Sequence, residues 1–290
     1  MSDCAVSIII VSWNVRDTLR KNMERLFSLS TKERFEVIVI DNGSSDKTAE
    51  MIRTNFPQVH IIQNDENRGF AFACNQGLRA ARGEVMILFN PDMLMGEDVI
   101  DRAYKTLKER VDIGVLGVRL LREDGTIVES VRRDPRLWDQ LAILLKLPHL
   151  FPSVVSGYLM KDFDYGTSQE VPQVRGSFFA FRRDVMDVVG LLDADRFFVW
   201  FEEVDFCRRV REAGYKIWYR ADISCTDLVG QAFKQQPIWL KQARMCKSMA
   251  RYFMKWYSVA SSLIVWAMFP FVVMLGAVLD ALRLKSRRWK

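Results

Sequence analysis

The sequence predicts an α/β protein whose core is a mostly parallel β-sheet, followed by a helical C-terminal segment. Short, continuously apolar runs recur through the first ninety residues, and stretches with helical spacing separate them. Near the other end, residues 259–279 form a run of twenty-one residues without a charge. These observations indicate a folded α/β body and a C-terminal part of different character.

The predicted strands and helices alternate along the first part of the chain. The strands, each a nearly unbroken apolar run, are residues 7–13, 35–41, 59–63 and 84–90. The helices, in which apolar side chains recur every three or four positions, are residues 15–29, 46–55 and 70–82. Continuous apolar strands separated by helices are typical of a parallel sheet that is covered on both faces.

Length, composition and charge exclude several classes of protein. With 290 residues, 49% apolar and 27% charged, the chain is long enough for one large or two small domains, and it is neither disordered nor fibrous. The net charge of +6 is uneven, since residues 234–290 carry +10 and the preceding part carries −4. We therefore expect no nucleic-acid partner. Five scattered cysteines without a CxxC pair fit a reducing cytosol and argue against a zinc site.

The uncharged run near the C-terminus is long enough to cross a bilayer. A helix rises about 1.5 Å per residue, so residues 259–279 would extend roughly 31 Å across a hydrocarbon core of about 30 Å. The alternative is a buried core helix. A full span from a cytosolic body would place the following basic residues outside, and Pro270 divides the run. We therefore expect insertion from one face, as a re-entrant or interfacial helix pair with both ends cytosolic.

The segment before this run has the pattern of a basic amphipathic helix. At about 100° per residue, five basic side chains fall within an arc of roughly 120°. They are Lys241, Arg244, Lys247, Arg251 and Lys255. Such a helix is suited to an anionic membrane surface. The alternative is a solvated face on a helix that packs against the body.

Polar side chains follow three of the predicted strands at the point where each strand ends. They are Asn14, Asp41, Asn42, Asn90 and Asp92. Because ligands of such sheets bind beyond the carboxyl ends of the strands, these groups are suited to hydrogen-bond a base and ribose and to hold a divalent metal under a diphosphate. No GxGxxG or GxxxxGK[ST] motif occurs, which argues against hydride transfer and P-loop chemistry.

Six segments together resemble the family-two inverting glycosyltransferases with the GT-A fold, especially bacterial rhamnosyltransferase-like members. In chain order they are SIIIVSWN, VIVIDNGSSD, NRGFAFACNQG, GEVMILFNPD, VRGSFFAFRRDV and GLLDADRFFVWFEEVDFCRRVREAGYKIW. The resemblance covers roughly residues 5–257. It implies a Rossmann-like GT-A fold, a nucleotide-sugar donor and inversion at the anomeric carbon.

The resemblance also implies roles for individual residues. Those expected to bind the nucleotide sugar are Ser12, Trp13, Asn14, Asp41, Asn67, Asn75 and Asn90. Those expected on the acceptor side are Arg175, Gly176, Trp200 and Glu202, with Trp200 either stacking on a sugar or belonging to the core. Asp92, in an NPD segment at the place of the DxD motif, is the expected ligand of Mg²⁺ or Mn²⁺. Glu203 is the candidate base, because inversion needs an ionised carboxylate to take the proton of the acceptor hydroxyl.

The sequence departs from the family pattern at three positions. Glu203 stands where the EDxD segment usually has an aspartate, so the carboxylate is kept but is one methylene longer. Asp227 stands where relatives commonly have a histidine, and Ala232 where they have a serine. Asp227 is therefore either a substitute metal ligand or an ordinary loop acid. The QxxRW motif of processive synthases is absent, which favours transfer of a single sugar.

These points predict an enzyme at the cytoplasmic face of the inner membrane. It would transfer one sugar, with dTDP-rhamnose as the expected donor, to a lipid-linked saccharide in the synthesis of a cell-surface polysaccharide. The departures at three positions motivate an alternative, a catalytically silent homologue that anchors a partner glycosyltransferase. A nucleotidyltransferase is less favoured, because no glycine-rich, lysine-bearing phosphate loop follows the first strand. The oligomeric state stays open, a homo-oligomer included.

The expected domain organisation has three parts. They are a catalytic domain at residues 1–233, a basic amphipathic helix at 234–257, and an apolar membrane-associated segment with a basic tail at 258–290. Within the catalytic domain, residues 1–95 are expected to bind the nucleotide sugar and residues 96–233 the acceptor.

Overall fold

A computed structural model describes residues 4–228 and 236–288 of the chain. Its first part consists of β1 (Val6–Ser12), α1 (Arg16–Ser28), β2 (Phe35–Asn42), α2 (Thr48–Asn55), β3 (His60–Asn64), α3 (Phe70–Ala80) and β4 (Val85–Phe89). These bounds agree with the predicted ones to within two residues. Ala232, one of the three departures from the family pattern, lies outside the described residues.

The second part of the chain contains elements that the sequence did not predict individually. They are β5 (Met93–Met95), α4 (Val99–Glu109), β6 (Ile113–Leu121), β7 (Ile127–Val128), β8 (Val131–Arg132), α5 (Leu137–Leu144), β9 (Gln169–Glu170), β10 (Gln173–Val174), β11 (Phe178–Arg182), α6 (Arg183–Val189), α7 (Glu202–Glu212) and β12 (Lys216–Asp227). Two helices complete the described chain, α8 (Ile238–Trp256) and α9 (Val259–Arg288).

The central sheet has the strand order β3-β2-β1-β4-β11-β6-β12-β5. Strands β1 to β4 run parallel to one another, and β6 runs parallel to β12. Strand β11 lies antiparallel between β4 and β6 and joins the two parallel parts into one sheet. The predicted α/β class with a mostly parallel central sheet is confirmed.

The first strand shows why the predicted strands are apolar without a break. Ile8 and Ile10 are buried on one face of the sheet, against α1, α2 and α4, whereas Ile9 is buried on the other face with α3, α6 and α7. Each such side chain contributes about 1.5–3 kcal/mol of hydrophobic free energy when it leaves water. Helices on both faces therefore require apolar residues at successive positions of the strand.

The C-terminal helices form an antiparallel hairpin, and α8 lies between the body and α9. The Cys246 thiol donates to the carbonyl of Val265, and the Ser262 hydroxyl donates to the carbonyl of Ala250 at 2.9 Å. Gly276 allows the close approach at the other end, since a Cβ there would lie 2.6 Å from Cα of Trp239. On its opposite side, α8 packs into an apolar cluster with α5 and with Phe197 and Phe201 of the body.

The expectation that Pro270 divides the apolar run into two helices is wrong. Helix α9 continues through this exposed proline to Arg288. Val265 before it and Val272 after it are both fully buried in the cluster with α8, so the same packing holds both halves in line. Among the described residues, α9 is the one helix long and apolar enough to cross a bilayer, at Val259–Leu282, and 22% of its most apolar stretch is buried.

The basic face predicted for α8 is not wholly available to lipid headgroups. Lys255 forms ion pairs with Asp193 and Asp205 of the body, and Arg251 donates to the carbonyl of Arg196. Arg244 turns into a cavity of the body. The helical periodicity predicts the direction of each side chain around the axis of α8. Which group that side chain contacts is decided by how α8 packs against the body.

Candidate active site

A cavity of about 200 Å³ opens at the carboxyl ends of the parallel strands. Ten of the fourteen predicted site residues line it: Trp13, Asn67, Asn90, Asp92, Arg175, Gly176, Trp200, Glu202, Glu203 and Asp227. They come from strand ends, from the loop before α3, from the turn between β10 and β11, and from the segment that leads into the first turn of α7. The structure therefore brings together residues that are separated by more than two hundred positions in the sequence.

The four remaining residues do not line the cavity. Ser12 and Asp41 are paired neighbours at the ends of β1 and β2, and each keeps a buried oxygen, Oγ and Oδ2, without a hydrogen-bond partner among the described residues. Burial raises the pKa of Asp41 above its ordinary value. Such atoms are uncommon in native proteins and fit hydrogen bonding to an absent ligand.

Asn14 and Asn75 have local structural partners. The side-chain oxygen of Asn14 accepts from the backbone N–H of Ser45 at 2.8 Å, which links the ends of β1 and β2. Asn75 on α3 donates to the carbonyl of Leu192 at 2.8 Å and accepts from its N–H at 3.0 Å. This bidentate contact holds the segment that leads to α7, so Asn75 acts on the site through that segment's position.

The turn from Asn90 to Asp92 is held by two residues that the sequence did not indicate, Asn22 through its side chain and Ser177 through its backbone. Asn22 of α1 donates to the carbonyls of Asn90 and Met93, at 3.1 and 2.7 Å. Ser177 accepts from the backbone N–H of Asn90 at 3.0 Å through its carbonyl. The turn is therefore tied to α1 on one side and to the start of β11 on the other.

Asp92 and Asp227 are brought to neighbouring positions by the pairing of β5 with β12. Asp227 pairs with Met93 in the sheet, and the N–H of Leu228 donates to the carbonyl of Asp92 at 2.8 Å. Both residues are buried, with 6% and 4% exposure. Arg175 approaches the Asp227 carboxylate to 3.6 Å. Among the residues that the structure describes, no cluster of three or more potential metal ligands occurs.

The segment before α7 places the two glutamates. Trp200 and Phe201 both have left-handed backbone conformations, with φ of 64° and 70°. Such conformations cost of order 1–3 kcal/mol each for residues other than glycine and persist where the surroundings enforce them. They turn the chain so that Glu202 and Glu203 open α7 at the cavity.

The two glutamates share a buried, negatively charged environment. Burial raises the pKa of Glu202 well above its ordinary value, and the charge of Glu203 adds to the effect. Burial also raises the pKa of Glu203, while the charge of Arg175 opposes the increase. Glu203 packs over Gly176, where an added Cβ would lie 3.6 Å from its Cβ and Cγ. Glu203 is thus the glutamate with a cation beside it, and it is the less buried of the two.

Asp205, the third acid of the first turn, faces the C-terminal hairpin. Its fully buried carboxylate pairs with Arg209 at 2.9 Å and with Lys255 at 2.6 Å, and it accepts from the indole of Trp256 at 2.7 Å. This acid has a structural role.

The glycine of the Asn67–Gly69 segment is required by close packing. Gly69 has φ of +91°, and a Cβ there would lie 2.6 Å from the carbonyl oxygen of Phe198. The side-chain oxygen of Asn67 accepts from the amide of Asn42 at 3.2 Å and from the N–H of Gly69 at 3.0 Å. Asn42, one of the polar strand-end residues that the sequence indicated, and Phe198 also line the cavity.

Arg244 is the cavity residue that sequence reasoning placed elsewhere. It reaches the cavity from α8, stacks 4.5 Å from the ring centroid of Phe198 and donates to the side-chain oxygen of Gln236 at 2.7 Å. The sequence identified Arg244 as one of the five basic residues of the amphipathic helix. Periodicity alone could not distinguish Arg244 from Lys247, which is exposed.

The fold has known counterparts among solved structures. A mannosyltransferase from Pyrobaculum calidifontis, PcManGT, solved with GDP-Man and Mn²⁺, superposes with a TM-score of 0.59 at 18% identity over 94% of this chain and 73% of that one. GalNAc-T7, solved with UDP, GalNAc and Mn²⁺, superposes with a TM-score of 0.59 at 17% identity over 77% of this chain and 43% of that one. The predicted GT-A fold is confirmed.

Curated relatives agree with this fold. The chain is 29% identical over 250 residues to the uncharacterized glycosyltransferase YfnE of Bacillus subtilis, covering 75% of this chain and 63% of that protein. It is 24% identical over 217 residues to the low-salt glycan biosynthesis hexosyltransferase Agl10 of Haloferax volcanii, covering 73% and 63%. The chain thus spans under two thirds of the length of these relatives. The family described as Glycosyl transferase family 2 matches residues 7–190, and the chain therefore belongs to glycosyl transferase family 2.

Proposed function

We propose that the protein transfers a single sugar, with inversion, from a nucleotide sugar to a lipid-linked saccharide at a membrane surface. One observation carries the proposal: Glu203, Asp92 and Asp227 line one cavity, at the strand ends where a GT-A fold binds its donor. Such a reaction needs a base that takes the proton of the acceptor hydroxyl. It also needs carboxylates that hold a metal ion bound to the diphosphate of the donor. Family membership and the relatives' names support the reaction class.

The donor side of the cavity offers an aromatic side chain, amides and buried oxygens. Trp13 and Asn67 line the cavity, and Ser12 Oγ and Asp41 Oδ2, which have no hydrogen-bond partner in the described part of the chain, lie at the ends of β1 and β2. These groups are suited to a base and a ribose, whose hydroxyl and ring N–H groups need acceptors. We keep residues 1–95 as the proposed nucleotide-sugar half and residues 96–233 as the proposed acceptor half.

The carboxylates fit a divalent metal. Mg²⁺ and Mn²⁺ take hard oxygen ligands, and Mg²⁺ is usually held by one or two carboxylates together with substrate phosphates and water. Asp92 and Asp227, both buried and on paired segments, supply such a set. A metal held there would neutralise the charge that develops on the leaving diphosphate.

The catalytic step follows from the position of Glu203. Its ionised carboxylate accepts the proton of the acceptor hydroxyl as the hydroxyl oxygen attacks the anomeric carbon. The bond from that carbon to the diphosphate oxygen breaks on the opposite side, and its electron pair leaves with the nucleoside diphosphate. Glu202 is the more deeply buried of the two, and burial raises its pKa well above the ordinary value, so we assign it to holding the turn at the start of α7 rather than to proton transfer.

The hairpin supports a membrane location. The outward face of α9 exposes large apolar side chains along its length, including Leu263 and Phe271 at 58% each and Met274 at 62%. A second exposed apolar group lies on and after α5, which packs against the hairpin: Trp138 is 79%, Leu150 73% and Phe151 63% exposed. Because α9 packs along a helix that is itself held by the body, we propose that it lies in the plane of the interface.

A donor panel with purified, detergent-solubilised protein tests the proposal. Four nucleotide sugars, dTDP-rhamnose, UDP-glucose, UDP-N-acetylglucosamine and GDP-mannose, would be offered with a polyprenyl-diphosphate-linked saccharide and Mn²⁺. We expect turnover with one donor and an inverted linkage by NMR of the product. Absence of turnover and of metal-dependent nucleotide binding would instead support the catalytically silent homologue.

A further inference from the structure

The cavity receives a cation from α8, the helix that lies between the body and α9. Arg244 projects from the first half of this helix and lines the cavity together with Asp92, Glu203 and Asp227. Its guanidinium is fixed by two contacts, the ring of Phe198 at 4.5 Å and the side-chain oxygen of Gln236 at 2.7 Å. Both contacts orient the group, and neither neutralises its charge.

The charge of Arg244 is partly buried. Among the described residues none of its contacts is with a carboxylate, and burial lowers its pKa from the ordinary value. A guanidinium stays protonated in proteins and presents a fork of donors that matches phosphate oxygens. A half-buried guanidinium with only neutral contacts is therefore well suited to bind an anion that enters the cavity.

The cavity needs such a cation if it is to hold a diphosphate. Four carboxylates line it, from Asp92, Asp227, Glu202 and Glu203. Two like charges about 5 Å apart repel each other by roughly 3 kcal/mol at an effective dielectric constant near 20. Arg175 is already close to Asp227, at 3.6 Å. Arg244 stands on another side, against Phe198, whose carbonyl accepts from the N–H of Phe70 at 2.6 Å near the Asn67 segment.

We propose that Arg244 binds a diphosphate in this cavity, so that the helix beneath the membrane-facing α9 completes the active site. The inference rests on the proposed function for the identity of the substrate. The diphosphate belongs either to the nucleotide sugar or to the lipid-linked acceptor, and the guanidinium recognises the same group in both. Helix α8 is then part of the enzyme's catalytic body as well as its link to the membrane.

The experiment compares three variants of the full chain in detergent. Arg244→Gln removes the charge and keeps a hydrogen-bonding side chain, and Arg244→Lys keeps the charge without the fork. Lys247→Gln is the matched control, because Lys247 is exposed on the same helix over the ring of Phe269. Thermal unfolding of each variant checks that the fold is retained.

Calorimetry with inorganic pyrophosphate and with dTDP, UDP and GDP, each with Mn²⁺, gives a readout that does not depend on turnover. We expect Arg244→Gln to weaken pyrophosphate binding by about tenfold or more, since hydrogen bonds to charged groups contribute roughly 1.5–3 kcal/mol. Arg244→Lys should recover part of the affinity, and Lys247→Gln should match the unsubstituted protein. Unchanged pyrophosphate affinity in a folded Arg244→Gln protein, or no pyrophosphate binding by the unsubstituted protein, would overturn the inference.

Steady-state kinetics then identify the source of the diphosphate. A raised KM for the nucleotide sugar in Arg244→Gln assigns the contact to the donor, and a raised KM for the lipid-linked acceptor assigns it to the acceptor. Failure of the unsubstituted protein to turn over any donor would refute the proposed function. The pyrophosphate titration would still decide the role of Arg244 in that case.

Discussion

The ammonium of Lys255 lies 2.6 Å from the carboxylate of Asp205, which joins the C-terminal hairpin to the helix that begins with the two glutamates of the cavity. Asp205 is fully buried, and Arg209 and Trp256 complete its contacts. The contact connects α8 to α7 directly. The hairpin is therefore packed as part of the body, and α8 is not a detachable anchor.

Lys255→Met should destabilise the protein through this contact. Removing a charged hydrogen bond from a buried carboxylate costs about 1.5–3 kcal/mol, equivalent to a fall in Tm of roughly 2–5 °C for a chain of this size. Lys247→Met, on the exposed side of the same helix, should leave Tm within about 1 °C. Equal Tm values for both variants, measured in one detergent, would contradict the structural role of the Lys255–Asp205 pair.

Glu203→Gln should abolish sugar transfer and spare nucleotide binding. Loss of a general base typically lowers kcat by about 10²- to 10⁴-fold, and glutamine keeps the size of the side chain. In the unsubstituted enzyme the rate should rise with pH through the raised pKa of Glu203, because only the ionised carboxylate accepts the proton. Full transfer activity in the variant would remove Glu203 from the mechanism.

Stability should fall as pH increases because of Glu202. Its folded-state pKa is raised well above the ordinary 4.5, so the folded chain binds this proton more tightly than the unfolded chain. The free energy of unfolding therefore decreases from about pH 4.5 up to the raised pKa and stays lower above it. Glu202→Gln removes this dependence, and its Tm relative to the unsubstituted protein should increase with pH. A pH-independent difference would contradict the assignment.

Asp92→Asn should remove the effect of divalent metal on nucleotide binding. Calorimetry of a nucleoside diphosphate with and without Mn²⁺ measures this effect as the ratio of the two affinities. We expect the substitution to reduce this ratio by about tenfold or more, which corresponds to at least about 1.4 kcal/mol of binding free energy. Asp98→Asn is the matched control, because Asp98 is an exposed acid just before α4 and does not line the cavity. The same titration with Asp227→Asn decides between a metal ligand and an ordinary loop acid, since only a ligand's loss should reduce the Mn²⁺ dependence.

Polar substitutions on the outward face of α9 should weaken membrane binding without unfolding the hairpin. Leu263, Phe271 and Val278 are 58%, 58% and 50% exposed. Replacing each by glutamine would remove about 1.5–3 kcal/mol of the free energy gained when the apolar side chain moves from water into the membrane. Co-sedimentation with phosphatidylcholine–phosphatidylglycerol vesicles measures the loss. Val111 and Val188, 69% and 63% exposed on the body, provide matched control positions for substitution to glutamine. Equal binding of both sets would contradict the role of α9.

Much of the fold could be predicted because local pattern and tertiary environment agree in the first ninety residues. Strands such as β1 are apolar at every position since helices cover both faces, and the polar residues that end them fall at the same edge of the sheet. The region between Arg119 and Val174 offered no such pattern. Its strands β7 to β10 have two residues each, too short for periodicity to indicate them.

The sequence by itself determined the α/β class, the family and most of the residues that meet in the cavity. Only the tertiary structure decided what each face of α8 contacts: Lys255 turns to buried Asp205, Arg244 turns into the cavity, and Lys247 stays exposed. It also decided that α9 continues through Pro270, because burial of Val265 and Val272 against α8 aligns both halves. Periodicity specifies direction around a helix axis, whereas the partner in that direction is set by how distant segments pack.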